Sequence, residues 1–261
     1  FKQKTAYEIR LSLVGSEMCI RDRQVGAGAI VNGASFVAQP LVAPGQLISI
    51  YGSDLAERSQ AAASVPLGTE LAGTEVLLGG DALPLLFVSG GQINAQVPFG
   101  LPLNSEQQIA VRRREPLGTP ERVVVGAAQP GIFSKNSNGV GQGVVLAVRA
   151  GSAQTFAELG APARPGDTIV IYCGGLGPTT PPVAAGVAAP LTPLSRVDSP
   201  VRVTIGGAEA VVAFAELTPG SAGLYQINAV VPSDAPDGDK VPVTISVAGV
   251  ESSVVSMAVR R

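Results

Sequence analysis

Pro44-Gly45-Gln46-Leu47-Ile48-Ser49-Ile50-Tyr51-Gly52 and Pro165-Gly166-Asp167-Thr168-Ile169-Val170-Ile171-Tyr172-Cys173-Gly174 are two copies of one pattern, 121 residues apart. Each copy enters through Pro-Gly, continues through mostly β-branched, apolar and aromatic residues, and leaves at Gly. Those features describe a short strand held between turns. A second pair follows in the same order: Gln92-Ile93-Asn94-Ala95-Gln96-Val97-Pro98 and Gln226-Ile227-Asn228-Ala229-Val230-Val231-Pro232, 134 residues apart. One mismatch in seven positions, behind another matched motif, marks an internal duplication. The offset grows between the two pairs, which places an insertion in the second copy, in the Pro/Ala-rich stretch 177–193.

The flanking segments read as strands too. Val201-Arg202-Val203-Thr204-Ile205 alternates apolar and polar residues before a Gly206-Gly207 turn, and Val76-Leu77-Leu78-Gly79-Gly80 is its counterpart. Further strands are expected at 108–111 and 122–125, then at 241–247 and 253–259. No helical periodicity with caps is present after residue 23; a single helical turn is expected at 59–64. The 32 Gly and 21 Pro fall between the apolar runs as turn punctuation. The expected fold is all-β: two tandem immunoglobulin-like β-sandwich domains related by duplication, at 24–136 and 137–261.

Residues 1–23 differ from the rest. They hold five of the 18 basic residues, one of the two Cys and one of the two Met, with no Pro. Arg10 and Glu17 interrupt the apolar region, so the segment fails as a signal peptide. It resembles translated sequencing-adapter read-through, and it is expected to be a non-native leader on a fragment. Without it the chain carries 13 basic and 17 acidic residues, a net charge of −4.

The remainder resembles the uncharacterised C-terminal domain family described from Solibacter and related soil bacteria. The likeness rests on Asn32-Gly33-Ala34-Ser35-Phe36, on Ala43-Pro44-Gly45 leading to Tyr51-Gly52, and on Gly91-Gln92-Ile93-Asn94-Ala95-Gln96-Val97-Pro98. It continues through Pro130-Gly131-Ile132-Phe133, Pro165-Gly166-Asp167, Gly174-Gly175-Leu176-Gly177-Pro178, Gly223-Leu224-Tyr225-Gln226-Ile227-Asn228 and Val231-Pro232. The resemblance implies a C-terminal module of a large exported protein, outside the cell or at its surface, with an upstream domain of the same polypeptide as partner. It implies no activity. The Pro-Gly-entered strands are also similar to the immunoglobulin-like (IPT/TIG) domains shared with plexins and transcription factors, a likeness of fold alone.

Missing chemistry narrows the function. The chain has no His and no Trp, which removes the commonest general base and a favoured platform for flat ligands. A net charge of −2 gives no footprint for nucleic acid. No apolar run approaches the ~20 residues of a membrane helix. A Ser nucleophile would need Lys as base, and outside the leader only Lys135 and Lys240 exist, neither in Ser-x-x-Lys spacing. Cys173 closes an apolar strand and reads as a buried thiol.

Candidate sites meet plain structural readings. Gln92 and Asn94, with Gln226 and Asn228, form amide stripes that could recognise a partner. Both copies carry them, so they are read as satisfying backbone groups at a bulge, a loop or the seam between copies. Asp234, Asp237 and Asp239 could converge on Ca²⁺, but Pro-Asp-Gly is an ordinary turn sequence. The Gly-rich runs 139–143 and 174–177 lack the following helix that a phosphate cradle requires, and read as turns. Arg112-Arg113-Arg114-Glu115 reads as a solvated hairpin tip.

No catalytic, cofactor-binding or metal-binding residue is therefore assigned, and no cofactor. The expected function is a non-catalytic extracellular structural or interaction module. Its partners would be protein or polysaccharide at the cell surface, and a carbohydrate- or protein-binding module is the alternative. A hydrolase with paired carboxylates is the third reading. Aromatic platforms discriminate: three Tyr and six Phe follow residue 23, and three exposed coplanar rings would favour sugar binding.

Overall fold

A computed structural model describes residues 24–113, 117–149 and 153–261. The leader 1–23, and Arg114, Glu115 and Pro116 of the basic run, lie outside the described residues. All described elements are strands. The Pro-Gly-entered strand Leu47–Ser53 pairs antiparallel with the amide strand Gln92–Gln96, matching Tyr51 to Gln92, Ile50 to Ile93 and Ser49 to Asn94. In the second half Thr168–Gly174 pairs with Tyr225–Val230, matching Tyr172 to Gln226, Ile171 to Ile227 and Val170 to Asn228. The two registers are identical, position for position.

The likeness extends through both layers. Thr74–Leu78 pairs with Ser105–Arg113 as Val201–Ile205 pairs with Gly238–Val247. Val42 meets Val125 in parallel, as Ala163 meets Val259. Each half buries the inward residues of both layers: Ile48, Ile50, Ile93 and Val97 against Val76, Ile109 and Val123, and Ile169, Ile171, Ile227 and Val231 against Val203, Val243 and Met257. The chain is thus all-β, made of two immunoglobulin-like sandwiches.

The halves differ where the sequence differs. In the second, Ala208–Leu217 runs unbroken from the Gly206-Gly207 turn into the other layer, so both layers belong to one sheet. In the first, the equivalent path splits into Asp81–Ala82 and Leu85–Val88, and Pro84, which has no N–H to give a ladder, stands in the gap. Gln60–Ala61 is a short edge strand on Phe87 and Val88, not the helical turn expected at 59–64. Arg112 bridges back to Leu117, so the basic run does turn a hairpin, whose tip lies outside the described residues; at its base Arg112 and Arg113 form ion pairs with Glu75 at 2.6 Å and Asp54 at 3.0 Å.

The change of core falls earlier than the expected boundary at 136/137. Ala128 and Ile132 already pack in the second core, and Gly131–Ile132 pairs with the Tyr172 strand. The segment 126–130, which includes Ala128, threads between the halves. Gln129 is buried there: its N–H donates to Gly175 O at 2.8 Å, its carbonyl accepts Asn32 Nδ2 at 2.7 Å, and its Oε1 accepts Gln46 Nε2. Gln96, fully buried, accepts the N–H of Gly186 at 2.7 Å, while Gly186 O accepts Leu67 N at 2.8 Å. The insertion expected at 177–193 is thus a loop laid over the first sandwich. Tyr225 adds a buried hydroxyl that donates to Gly177 O at 2.6 Å and lies 3.4 Å from Pro44 O of the first half.

Of the Gly-rich runs, 139–141 is a bend, whereas Gly174 ends a strand and 175–177 is irregular chain; both make close contacts. A Cβ on Gly139 would stand 1.8 Å from Ser35 O, and one on Gly175 would stand 2.0 Å from Gln129 O. Both glycines also adopt positive φ. Gly139→Ala is expected to cost about 2–4 kcal/mol, combining overpacking with left-handed strain. Gly100→Ala, whose Cβ would meet nothing within 4 Å, should change stability by no more than about 0.5–1 kcal/mol. Urea unfolding of both variants checks this, and equal effects would contradict it.

Burial also raises the Tyr225 hydroxyl above its ordinary value, helped by Cys173 and Asp198, and burial raises the Cys173 thiol. With folded-state values raised, their contribution is intact below the unfolded values and is lost as pH climbs past them. Stability should therefore decline above about pH 9–10, with a shallower decline in Tyr225→Phe; urea titrations across that range test it.

Candidate functional site

With Ile171, Ile227 and Ala229 committed to the core, period-two geometry turns Tyr172, Gln226 and Asn228 to the outer face of the second sandwich. Two neighbouring segments add rings beside Tyr172. Phe133 follows the short strand Gly131–Ile132, and its N–H donates to Tyr172 O at 3.1 Å. Phe156 belongs to the edge strand Thr155–Phe156, paired with Leu146 of Val145–Val148. Phe133, Phe156 and Tyr172, with Val144 and Leu224, line an open cleft of about 500 Å³. All three rings are half-buried, so each keeps a face or edge in water.

Small polar groups hold this wall. Ser134, buried, accepts the N–H groups of Asn138 at 3.1 Å and Gly139 at 2.9 Å, which folds the loop behind Phe133. Gly139 is the glycine pressed on Ser35 of the first half, so the contact between sandwiches also fixes one side of the cleft. Lys135 stands 4.8 Å over the Phe156 ring and bonds Glu158 at 2.7 Å.

The amide stripes occupy this same outer face in both halves. Gln226 Nε2 donates to Asn228 Oδ1 at 2.9 Å, and Gln92 Nε2 to Asn94 Oδ1 at 2.8 Å. Asn94 and Asn228 each sit opposite a register shift, beside Phe87 and Phe214. The expectation of a bulge is met in position, but the side chains bond each other rather than the backbone. Gln96, the one mismatch in the repeated motif, is the amide that reaches the seam; its counterpart Val230 pairs with Val211, which is 72% exposed. Tyr51 and Phe87 repeat Tyr172 and Phe214, yet the first half has no aromatic in Gln24–Asn32 to match Phe133 or Phe156. The aromatic cleft is a feature of the second half. Sequence reading missed it because its rings come from three separate segments, of which only that of Tyr172 lies in a repeated motif.

The other candidates do not build a site. Asp239 pairs with Arg260, and Asp237 lies 3.8 Å from Arg261; among the described residues no three acids or thiols stand together as a metal would require. Cys173 is fully buried and its thiol is pushed up, the reverse of what a nucleophile needs. Glu216, 3% exposed between Gln226 and Arg196, is raised by burial, with Arg196 opposing. No described helix is long and apolar enough to cross a membrane.

No family model and no curated protein matches the chain. Among solved structures it is similar to the surface glycan-binding protein PbSGBP-B from Prevotella bryantii, at 11% identity and TM-score 0.29, over 89% of this chain and 41% of that one. It is similar to the SGBP-B of the Bacteroides ovatus mixed-linkage glucan utilization locus, in complex with a mixed-linkage heptasaccharide, at 15% identity and TM-score 0.35, over 85% and 43%. Domains 5–6 of the S-layer protein SbsC match at 12% identity and TM-score 0.26, over 91% and 98%. The chain spans less than half the length of the first two. The sandwich assignment stands on the strand pairing described above.

Nitration should separate the tyrosines: Tyr172, at the open cleft, reacts in the folded protein, whereas Tyr225, fully buried, reacts only on unfolding. Peptide mapping reads this out, and nitration of native Tyr225 would contradict the burial.

Proposed function

We propose that the chain is a non-catalytic interaction module, borne by an exported bacterial protein of the Solibacter-type family and displayed outside the cell. It holds a partner in the aromatic cleft of its second sandwich. The convergence of Phe133, Phe156 and Tyr172 on one open cleft carries this reading. Fully burying a Phe-sized side chain yields about 1.5–3 kcal/mol, so three half-exposed rings offer binding energy that the folded chain alone leaves unused. The lining supports binding rather than chemistry: its polar members are Ser134, Ser137 and Lys135, with no carboxylate among the described residues. The chain has no His to serve as base. A rigid scaffold suits the role, because the linker is buried between the halves instead of hanging free.

Affinity electrophoresis through gels carrying neutral polysaccharides or immobilised surface proteins tests this. At least one polymer should retard the protein, and Tyr172→Ala should weaken that retardation by about tenfold or more, the equivalent of roughly 1.4 kcal/mol. Retardation indifferent to both Tyr172→Ala and Phe156→Ala, or progressive shortening of the polymer, would overturn it.

A further inference from the structure

We infer that the ligand is a neutral saccharide chain several units long, lying across two adjoining clefts; this rests on the binding reading above. A second cleft, of about 630 Å³, opens on the far side of Lys135, lined by Gln142, Glu158, Leu159, Asp239 and Lys240. Lys135 belongs to both, and the residues Phe156 and Glu158, two apart on one edge segment, face one cleft each. Each cleft alone has the size of a small-ligand site, roughly 300–1,000 Å³, and together they pass the upper end of that range.

Lys135, common to both linings, is paired with Glu158 of the second, and their side chains are 38% and 42% exposed. An ion pair so open to water is weak, and can rearrange under a passing chain.

The linings select the chemistry. The first cleft offers aromatic faces, suited to the apolar C–H face of a sugar ring. The second offers amide, carboxylate and ammonium groups for hydroxyls, together with Leu159, an apolar side chain left 70% exposed. A polysaccharide presents both characters in every unit. Charge excludes a polyanion or polycation as the best fit: two lysines face two carboxylates in the second cleft, and Lys135 and Asp239 already have ionic partners in Glu158 and Arg260.

The experiment is calorimetric titration of the full chain with neutral β-1,4- and β-1,3-linked gluco- and manno-oligosaccharides of two to six units, with a polyuronate oligomer of equal length as the charged probe. One neutral series should bind, with affinity rising at least tenfold from dimer to hexamer. Leu159→Ala should remove most of that gain and leave the dimer unchanged, whereas Tyr172→Ala should weaken every length. Equal affinity at all lengths, or a hexamer untouched by Leu159→Ala, would overturn the two-cleft path. Tighter binding of the polyuronate would overturn the neutral assignment. If no saccharide binds but a surface protein does so in a Tyr172-dependent manner, the saccharide is wrong and the interaction module stands. If nothing depends on Tyr172 or Phe156, both fall.

Discussion

A buried amide deprived of its hydrogen-bonding partners costs about 1–3 kcal/mol, and the contact between the two sandwiches buries four such side chains: Asn32, Gln46, Gln96 and Gln129. Asn32 and Gln46 each turn one amide atom to their own backbone and give the NH2 group to the linker, and Gln96 accepts from the loop of the other half, so the first sandwich alone leaves part of each unsatisfied. Gln129 joins all three parts, accepting from Asn32 and Gln46 and donating to Gly175. The satisfaction is incomplete, since Nε2 of Gln96 and of Gln129 has no acceptor among the described residues. Separating the halves would break the bonds from Gln129 to Gly175 and from Gly186 to Gln96 together. That constraint turns two tandem domains into one body and decides which faces remain open.

The two scaffolds share one strand register, and a few residues set them apart. At the position after Pro-Gly, Gln46 and Asp167 both accept a local backbone N–H, from Ala43 at 2.7 Å and from Arg164 at 2.8 Å. The remaining capacity differs: Gln46 reaches the linker, while Asp167 takes Arg149 at 2.9 Å. Gln96 meets the inserted loop where Val230 meets exposed Val211. The second half has Phe133 and Phe156 beside a tyrosine that occurs in both halves. Seam and cleft share the loop behind Phe133, because Ser134 ties Gly139 into place and Gly139 packs on Ser35. Locking the sandwiches therefore also orders the wall of the cleft.

The fold was legible because it rests on local chemistry written twice. The Pro-Gly entries, the alternation in the amide strands and the Gly206-Gly207 turn each specify a strand or turn without help from distant residues, and the duplication cross-checks them. Gln96 could have been singled out, since it is the only mismatch in the shared amide motif, and a polar residue standing where its copy has Val hints at a different environment. Gln129 carries no such signal; its partners lie 97 and 83 residues away. The cleft was hidden for the same reason, its rings meeting only through tertiary pairing. The helical turn expected at 59–64 failed because Gln60–Ala61 is captured by the edge at Val88, a contact that outweighs weak local preference.

Hydrogen exchange resolved by residue addresses the claim that the sandwiches form one body. The amides of Gly45, Gln129 and Gly186 belong to turns, linker and an inserted loop, segments that exchange quickly when they are free. If the seam is closed, Gln129 and Gly186 are protected to the same order as core amides such as Ile50 and Ile171, and lose that protection together on global unfolding. Exchange of Gln129 and Gly186 at the rate of exposed loops, with both strand cores still protected, would show two independent domains and contradict the account.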